Sequence, residues 1–153
     1  VYQIMVRVRE FLEQSKIFVP DKVDVEISHH YGIDNFYDVG AVIINCINRQ
    51  YCKKIIVLLP GQSHPGHFHK QKEETFHILA GKMQVNLDGR QKEGGVGDLI
   101  LVERGVKHNF KTEVGAIFEE VSTTHYKDDS FYDDEKIASN PDRKTKLTYW
   151  LNL

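Results

Sequence analysis

The chain has 153 residues, of which 20 are Lys or Arg and 22 are Asp or Glu, giving a formal net charge of -2. That length suits one domain with a real core, and the near-neutral balance, with no basic stripe, argues against a nucleic-acid partner. No run of eighteen apolar residues and no cleavable signal pattern is present, so a soluble, cytoplasmic domain is expected.

In chain order, residues 3–16 space Ile4, Val8, Phe11 and Leu12 for one face of an amphipathic helix, and Pro20 closes the segment that follows it. Val23, Val25 and Ile27 alternate with Asp24 and Glu26 as a half-buried strand, and His29 to Gly32 read as a loop. From Val39 onward the chain turns to β: strands are predicted over 42–47, 51–59, 76–79, 82–87, 98–102, 108–112 and 116–122. Asn48-Arg49, Asp88-Gly89 and Gly94-Gly95 are placed as the tight turns between them. Many short strands with helix only at the edge predict an antiparallel sandwich or barrel over 21–124, preceded by a helix and linker over 1–20. The tail, 125–153, is expected to be an ordered flap, because Tyr149, Trp150 and Leu151 need something to cover. Cys46 and Cys52 are too few for a disulfide framework and read as reduced thiols.

The chemistry concentrates between Gly61 and Gly81. His67 and His69 are two apart, so an extended strand sends both side chains to one face, and Glu74 follows across a short turn. His108 is the fourth candidate ligand. Three neutral imidazoles and a carboxylate suit one divalent transition metal, Mn, Fe, Co, Ni or Zn, with Mn or Zn favoured over the oxygen-caged Ca and Mg. His64 and His77 are set aside, the first because it precedes the motif and the second by its parity, while His125 is left open.

Gly61, His67, His69, Glu74 and Gly81, followed by Gly97, Gly105 and His108, resemble the two-part motif of the cupin superfamily. The resemblance implies an all-β double-stranded β-helix, or jelly-roll barrel, with the metal inside it. An inward Glu74 then requires Phe76 and Ile78 inward and Thr75, His77 and Leu79 outward, with His108, Phe110 and Thr112 in phase on their own strand. Four protein ligands leave an octahedral ion two positions for adjacent oxygens, where it acts as a Lewis acid. Sugar isomerisation, epimerisation, oxygenation and simple sugar binding all fit.

A narrower likeness covers most of the chain. Tyr31-Gly32, Val39-Gly40, Arg49, Tyr51-Cys52, Pro60-Gly61-Gln62, Thr75-Phe76, Gly81-Lys82 and Glu120-Val121-Ser122-Thr123-Thr124 are similar to sugar-isomerase cupins of the D-lyxose isomerase type. Ser28 to Ile33, Tyr51-Cys52-Lys53-Lys54, Lys72 to Phe76 and Ser122 to His125 resemble the cupin domain at the C-terminal end of some bacterial sialic acid synthases. That likeness implies a link to nonulosonic acid biosynthesis and, with Val1 in place of a Met, a fragment of a longer chain carrying an N-terminal synthase domain. The sugar-isomerase resemblance also implies catalytic roles for Lys72 and Glu120, with Glu120 as base. Period two admits only one of Glu119 and Glu120 to the interior, and sequence alone leaves that choice open. Two readings follow: a metal-dependent isomerase or epimerase acting on a sugar or amino sugar, and a non-catalytic metal- and sugar-binding module attached to a synthase. A homodimer is expected, because the edge strands near the N-terminus need covering.

Overall fold

A computed structural model describes residues 1–149, so Trp150 and Leu151 of the expected flap lie outside the described residues. The helix α1, Tyr2–Gln14, forms as its periodicity predicts and buries Ile4, Met5, Val8 and Leu12. The strands are β1 (Asp24–Ser28), β2 (Ala41–Asn48), β3 (Tyr51–Leu58), β4 (Ser63–Phe68), β5 (Glu74–Leu87), β6 (Arg90–Gly95), β7 (Leu99–Val102), β8 (His108–Lys111), β9 (Ala116–Thr123), β10 (Phe131–Tyr132) and β11 (Lys144–Thr148), with a short helix α2 (Glu135–Ala138) in the tail. They form one curled antiparallel sheet in the order β10-β4-β8-β5-β9-β3-β2-β1-β11, with β6 and β7 also paired to β5. Among the described residues no helix is long and apolar enough to cross a membrane.

Alternation along each strand divides the apolar residues into two cores. On β3, Ile55 and Val57 join Val25, Ile27, Val42 and Ile44 beneath α1 on the outer face of the sheet. Ile56 and Leu58 point the other way and fill the barrel with Phe76, Ile78, Phe110 and Phe118. The period-two rule thus places Glu120, two residues beyond Phe118, inside, and Glu119 outside, where it pairs with Lys53 at 3.3 Å. His77 also faces outward, as its parity requires, 3.8 Å from Glu119.

Three expectations need correction. The two strands predicted at 76–79 and 82–87 are one continuous β5, whose first half pairs with β7 and β9 and whose second half pairs with β6 and β8. The break read from Ala80-Gly81 is a bend within it. Gly81 has φ +74, and a Cβ there would run into the carbonyl of Gly115, so only glycine permits this close crossing. Gly94-Gly95 is not a turn: both residues are paired within β6, because Gly94 must leave room for the side chains of Ile78 and Ile100. The tail, finally, is more than a flap. β11 flanks β1 along its whole length, covering the N-terminal edge that the sequence left free for a second copy.

Candidate metal and acid–base site

The putting together of the site begins on β4. His64 and His67 are three apart, yet both enter the barrel, because a bulge at Pro65-Gly66 shifts the register between His64↔Phe110 and His67↔His108. Proline cannot donate to the ladder, which is why the irregularity falls there. His69 follows just past the strand end. Glu74 opens β5, His108 opens β8, and Lys72 sits in the loop between His69 and Glu74.

The three predicted histidines converge. Ring nitrogens of His67, His69 and His108 lie within 4.8 Å of one another, and all three residues are buried. Each ring is fixed by its other nitrogen: Nδ1–H donates to the carbonyl of Pro65 at 3.1 Å in His67, of Asp129 at 2.8 Å in His69 and of Val106 at 2.9 Å in His108. A carbonyl only accepts, so each Nδ1 carries the proton and each Nε2 presents a lone pair to the centre. Burial, then the neighbouring His108, His64 and His69, holds the His67 pKa well below its ordinary value, as a neutral ligand requires.

Glu74 completes the group from one side. Its Oε1 is 2.9 Å from His108 Nε2 and 3.5 Å from His69 Nε2, yet neither carboxylate oxygen nor His108 Nε2 is satisfied by a hydrogen bond. With Nδ1 committed as donor, a neutral His108 turns a lone pair of Nε2 toward Glu74, so the contact calls for a positive charge between them: a metal ion, or the proton that Glu74 favours by raising the His108 pKa against its burial. A divalent ion held by His67, His69, Glu74 and His108 fits this donor set.

Above the cluster stand the two residues expected to carry acid–base chemistry. Lys72 Nζ lies 3.2 Å from Glu120 Oε2 and 3.2 Å from Glu74 Oε2, with 3% of the lysine exposed. Burial opposes its charge, but Glu120 and Glu74 outweigh it and raise the lysine pKa. The two carboxyls are driven apart. Burial would raise Glu74, but the charge of Lys72 outweighs it and holds Glu74 well below its ordinary value. Glu120 is raised, by burial first and then by the charge of Glu74, against Lys72 and Lys54.

Sequence reasoning missed several neighbours. His64, set aside as a preceding residue, stacks on Phe110 and packs 4.7 Å from the His67 ring, since a bulge is invisible to a parity count. His125 does line the cavity, with Lys54, Tyr132 and Lys144. Asp129 carries the strongest unrecognised role. Its carboxylate accepts the amide protons of Lys70 (2.9 Å), Gln71 (3.1 Å) and Lys72 (3.1 Å), while its carbonyl orients His69. The only sequence signal was an acidic residue in a tail whose path was unknown.

The cavity measures about 50 Å³, room for three to five waters at ~10–15 Å³ each. The sequence profile of the cupin domain matches residues 54–118, the stretch that carries His67, His69, Glu74 and His108. A D-lyxose/D-mannose isomerase of Thermosediminibacter oceani is 25% identical over 173 aligned positions, covering 93% of this chain and 95% of that protein. Among solved structures, the L-ribose isomerase of Cellulomonas parahominis with L-ribose matches with a TM-score of 0.71 at 15% identity, over 90% of this chain and 93% of its own. The L-ribose isomerase of Geodermatophilus obscurus matches with a TM-score of 0.72 at 14% identity, over the same shares. The structural likenesses are those of fold, and the fold is the cupin jelly roll.

Proposed function

We propose that this cupin is a metal-dependent aldose–ketose isomerase acting on a small sugar. The observation that carries the reading is the buried Lys72–Glu120 pair at 3.2 Å, standing over the histidine cluster. A sugar-binding module has no use for a carboxyl and an ammonium poised there. The D-lyxose/D-mannose isomerase likeness, which spans nearly the whole of both chains, points the same way. The resemblance to synthase-linked cupins rests on sequence alone, and an amino-sugar substrate is its corollary.

In this reading His67, His69, Glu74 and His108 hold one divalent ion. When bound, that ion supplies Lewis-acid polarisation of the sugar's carbonyl and adjacent hydroxyl oxygens. Glu120, whose pKa is raised by burial and by the charge of Glu74, removes the proton from the hydroxyl-bearing carbon beside the carbonyl. It returns that proton to the former carbonyl carbon, while the hydroxyl proton passes from one sugar oxygen to the other, so the step is a redox-neutral isomerisation. The Lys72 ammonium donates to the oxygen on which negative charge grows. It also keeps Glu120 oriented.

Glu120→Gln tests the assignment. The change is nearly isosteric and should leave folding and metal content intact while lowering solvent deuterium incorporation beside the sugar carbonyl by at least ~100-fold, the low end for loss of a general base. Undiminished exchange in the variant would remove Glu120 as the base. Absence of exchange with any aldose or ketose in the wild type would return the binding-module reading.

A further inference from the structure

Lys54 enters the chemistry just described only through its charge, which works against the raised pKa of Glu120, and its setting is unusual. It lies on β3, opposite Glu120 on β9 and Asn45 on β2, and is 7% exposed. Among the described residues its ammonium makes no hydrogen bond and no ion pair. The other lysines of the cavity are matched: Lys72 by Glu74 and Glu120, and Lys144 by Glu26 at 3.2 Å. An ammonium that lines a cavity wall with no hydrogen-bonded or ion-paired partner among the described residues is free to receive an anion there.

The position of Lys54 says where. It lines the small central cavity and also a larger groove of about 430 Å³ bounded by β1, β2 and β11, and His125 is the one other residue shared by the two. Burial, then the charges of Lys54, Lys72 and Lys144, depresses the His125 pKa to about 3, so a neutral imidazole faces Lys54 across the junction. The groove beyond carries Asn45, Asn48, Lys146 and the exposed Asp24, while Glu26 is already engaged by Lys144. The central cavity is small, and the groove that shares Lys54 and His125 with it offers room for the remainder of a sugar.

We propose that Lys54 recognises an anionic substituent, a carboxylate or a phosphate, on the far end of the substrate, so that this protein takes sugar acids or sugar phosphates in preference to neutral sugars. The inference rests on the isomerase reading for the orientation of the sugar, with its carbonyl end at the histidines. The ammonium donates to the anion's oxygens, and His125, Asn45 and Asn48 complete the polar wall around it.

Calorimetric titration of the manganese-loaded protein with D-mannose, D-mannuronate and D-mannose 6-phosphate at 0.15 M salt tests this. One of the two anions should bind about tenfold or more tightly than D-mannose, as one charge-assisted contact requires, and the arms distinguish carboxylate from phosphate. Lys54→Met should bring the anion-to-neutral ratio to about one, and Lys54→Arg should retain it; Lys54→Gln replaces the methionine variant if that fails to fold. A wild-type ratio near one, or a ratio unchanged by loss of the charge, overturns the proposal. Solvent deuterium exchange measured with the same three sugars separates the two readings. Exchange without an anion preference removes only the role of Lys54, and a preference without exchange removes only the isomerisation.

Discussion

Asp129 is the residue whose loss should be felt furthest from its own position. Its carboxylate collects three successive amide protons, of Lys70, Gln71 and Lys72, and thereby fixes the loop that carries Lys72. Asp129→Ala deletes all of these acceptors. The Lys72 amide is buried, so leaving it unpaired costs ~1.5–3 kcal/mol, and the amides of Lys70 and Gln71, which water can partly reach, add ~0.5–1 kcal/mol each. The sum is a loss of ~2.5–5 kcal/mol, a large share of the stability of an ordinary domain. Asp129→Asn keeps one oxygen and should lose less than half as much. Urea denaturation of the metal-free protein measures the first quantity. Metal titration measures a second, because the carbonyl that orients His69 shifts with the loop, and such outer partners are worth ~10–100-fold in affinity. A loss below ~1 kcal/mol with metal affinity unchanged would show that water replaces the carboxylate at no cost, and the positioning argument would fail.

Three further outcomes are expected. His67→Ala and His108→Ala should each lower bound metal to well under one equivalent by elemental analysis, and full occupancy in both would refute the ligand set. His30 is buried with neither ring nitrogen hydrogen-bonded, and burial followed by the charges of His67, Lys144, Arg143 and His29 lowers its pKa from 6.5 to about 3. Below pH 6.5 the unfolded chain therefore takes up a proton that the folded chain refuses, so stability present above that pH is lost as pH falls toward 3, by about 2 kcal/mol at pH 5. His30→Leu should remove this increment in acid unfolding of the metal-free protein, and parallel pH profiles for variant and wild type would contradict it. A homodimer is expected to use the outer face of β7 and β9, where Leu99, Leu101 and Val121 stand exposed, and a single 17.7 kDa species in sedimentation at micromolar concentration would exclude it.

Periodicity carried most of the fold. Ile4, Val8 and Leu12 on the helix, and Phe76, Ile78, Phe110 and Phe118 on the strands, fall on the faces that their spacing required. The same rule settled Glu119 against Glu120 once Phe118 was known to point inward. What escaped the sequence was whatever depended on pairing rather than on pattern. The Pro65-Gly66 bulge brought His64 inside, the crossing at Gly115 made one strand of two apparent ones, and β11 found its partner in β1 across nearly the whole chain. Lys54 was read only as part of a family likeness. Its significance lies in the lack of a partner among the described residues, which a sequence does not record.

The contact of β11 with β1 has a temporal consequence. Glu26 and Lys144 are 118 positions apart, and the Asp129 carbonyl that orients His69 is 60 positions beyond it. On the ribosome His67, His69 and Glu74 are made long before His108, and His108 before the segment that steadies them. A nascent barrel therefore exposes two imidazoles and a carboxylate in no fixed tautomer or geometry, and the proposed metal site is complete only when the tail folds back. Loop closure over such separations is slow compared with local strand pairing, so metal capture should be the last event of maturation and a direct reporter of its completion.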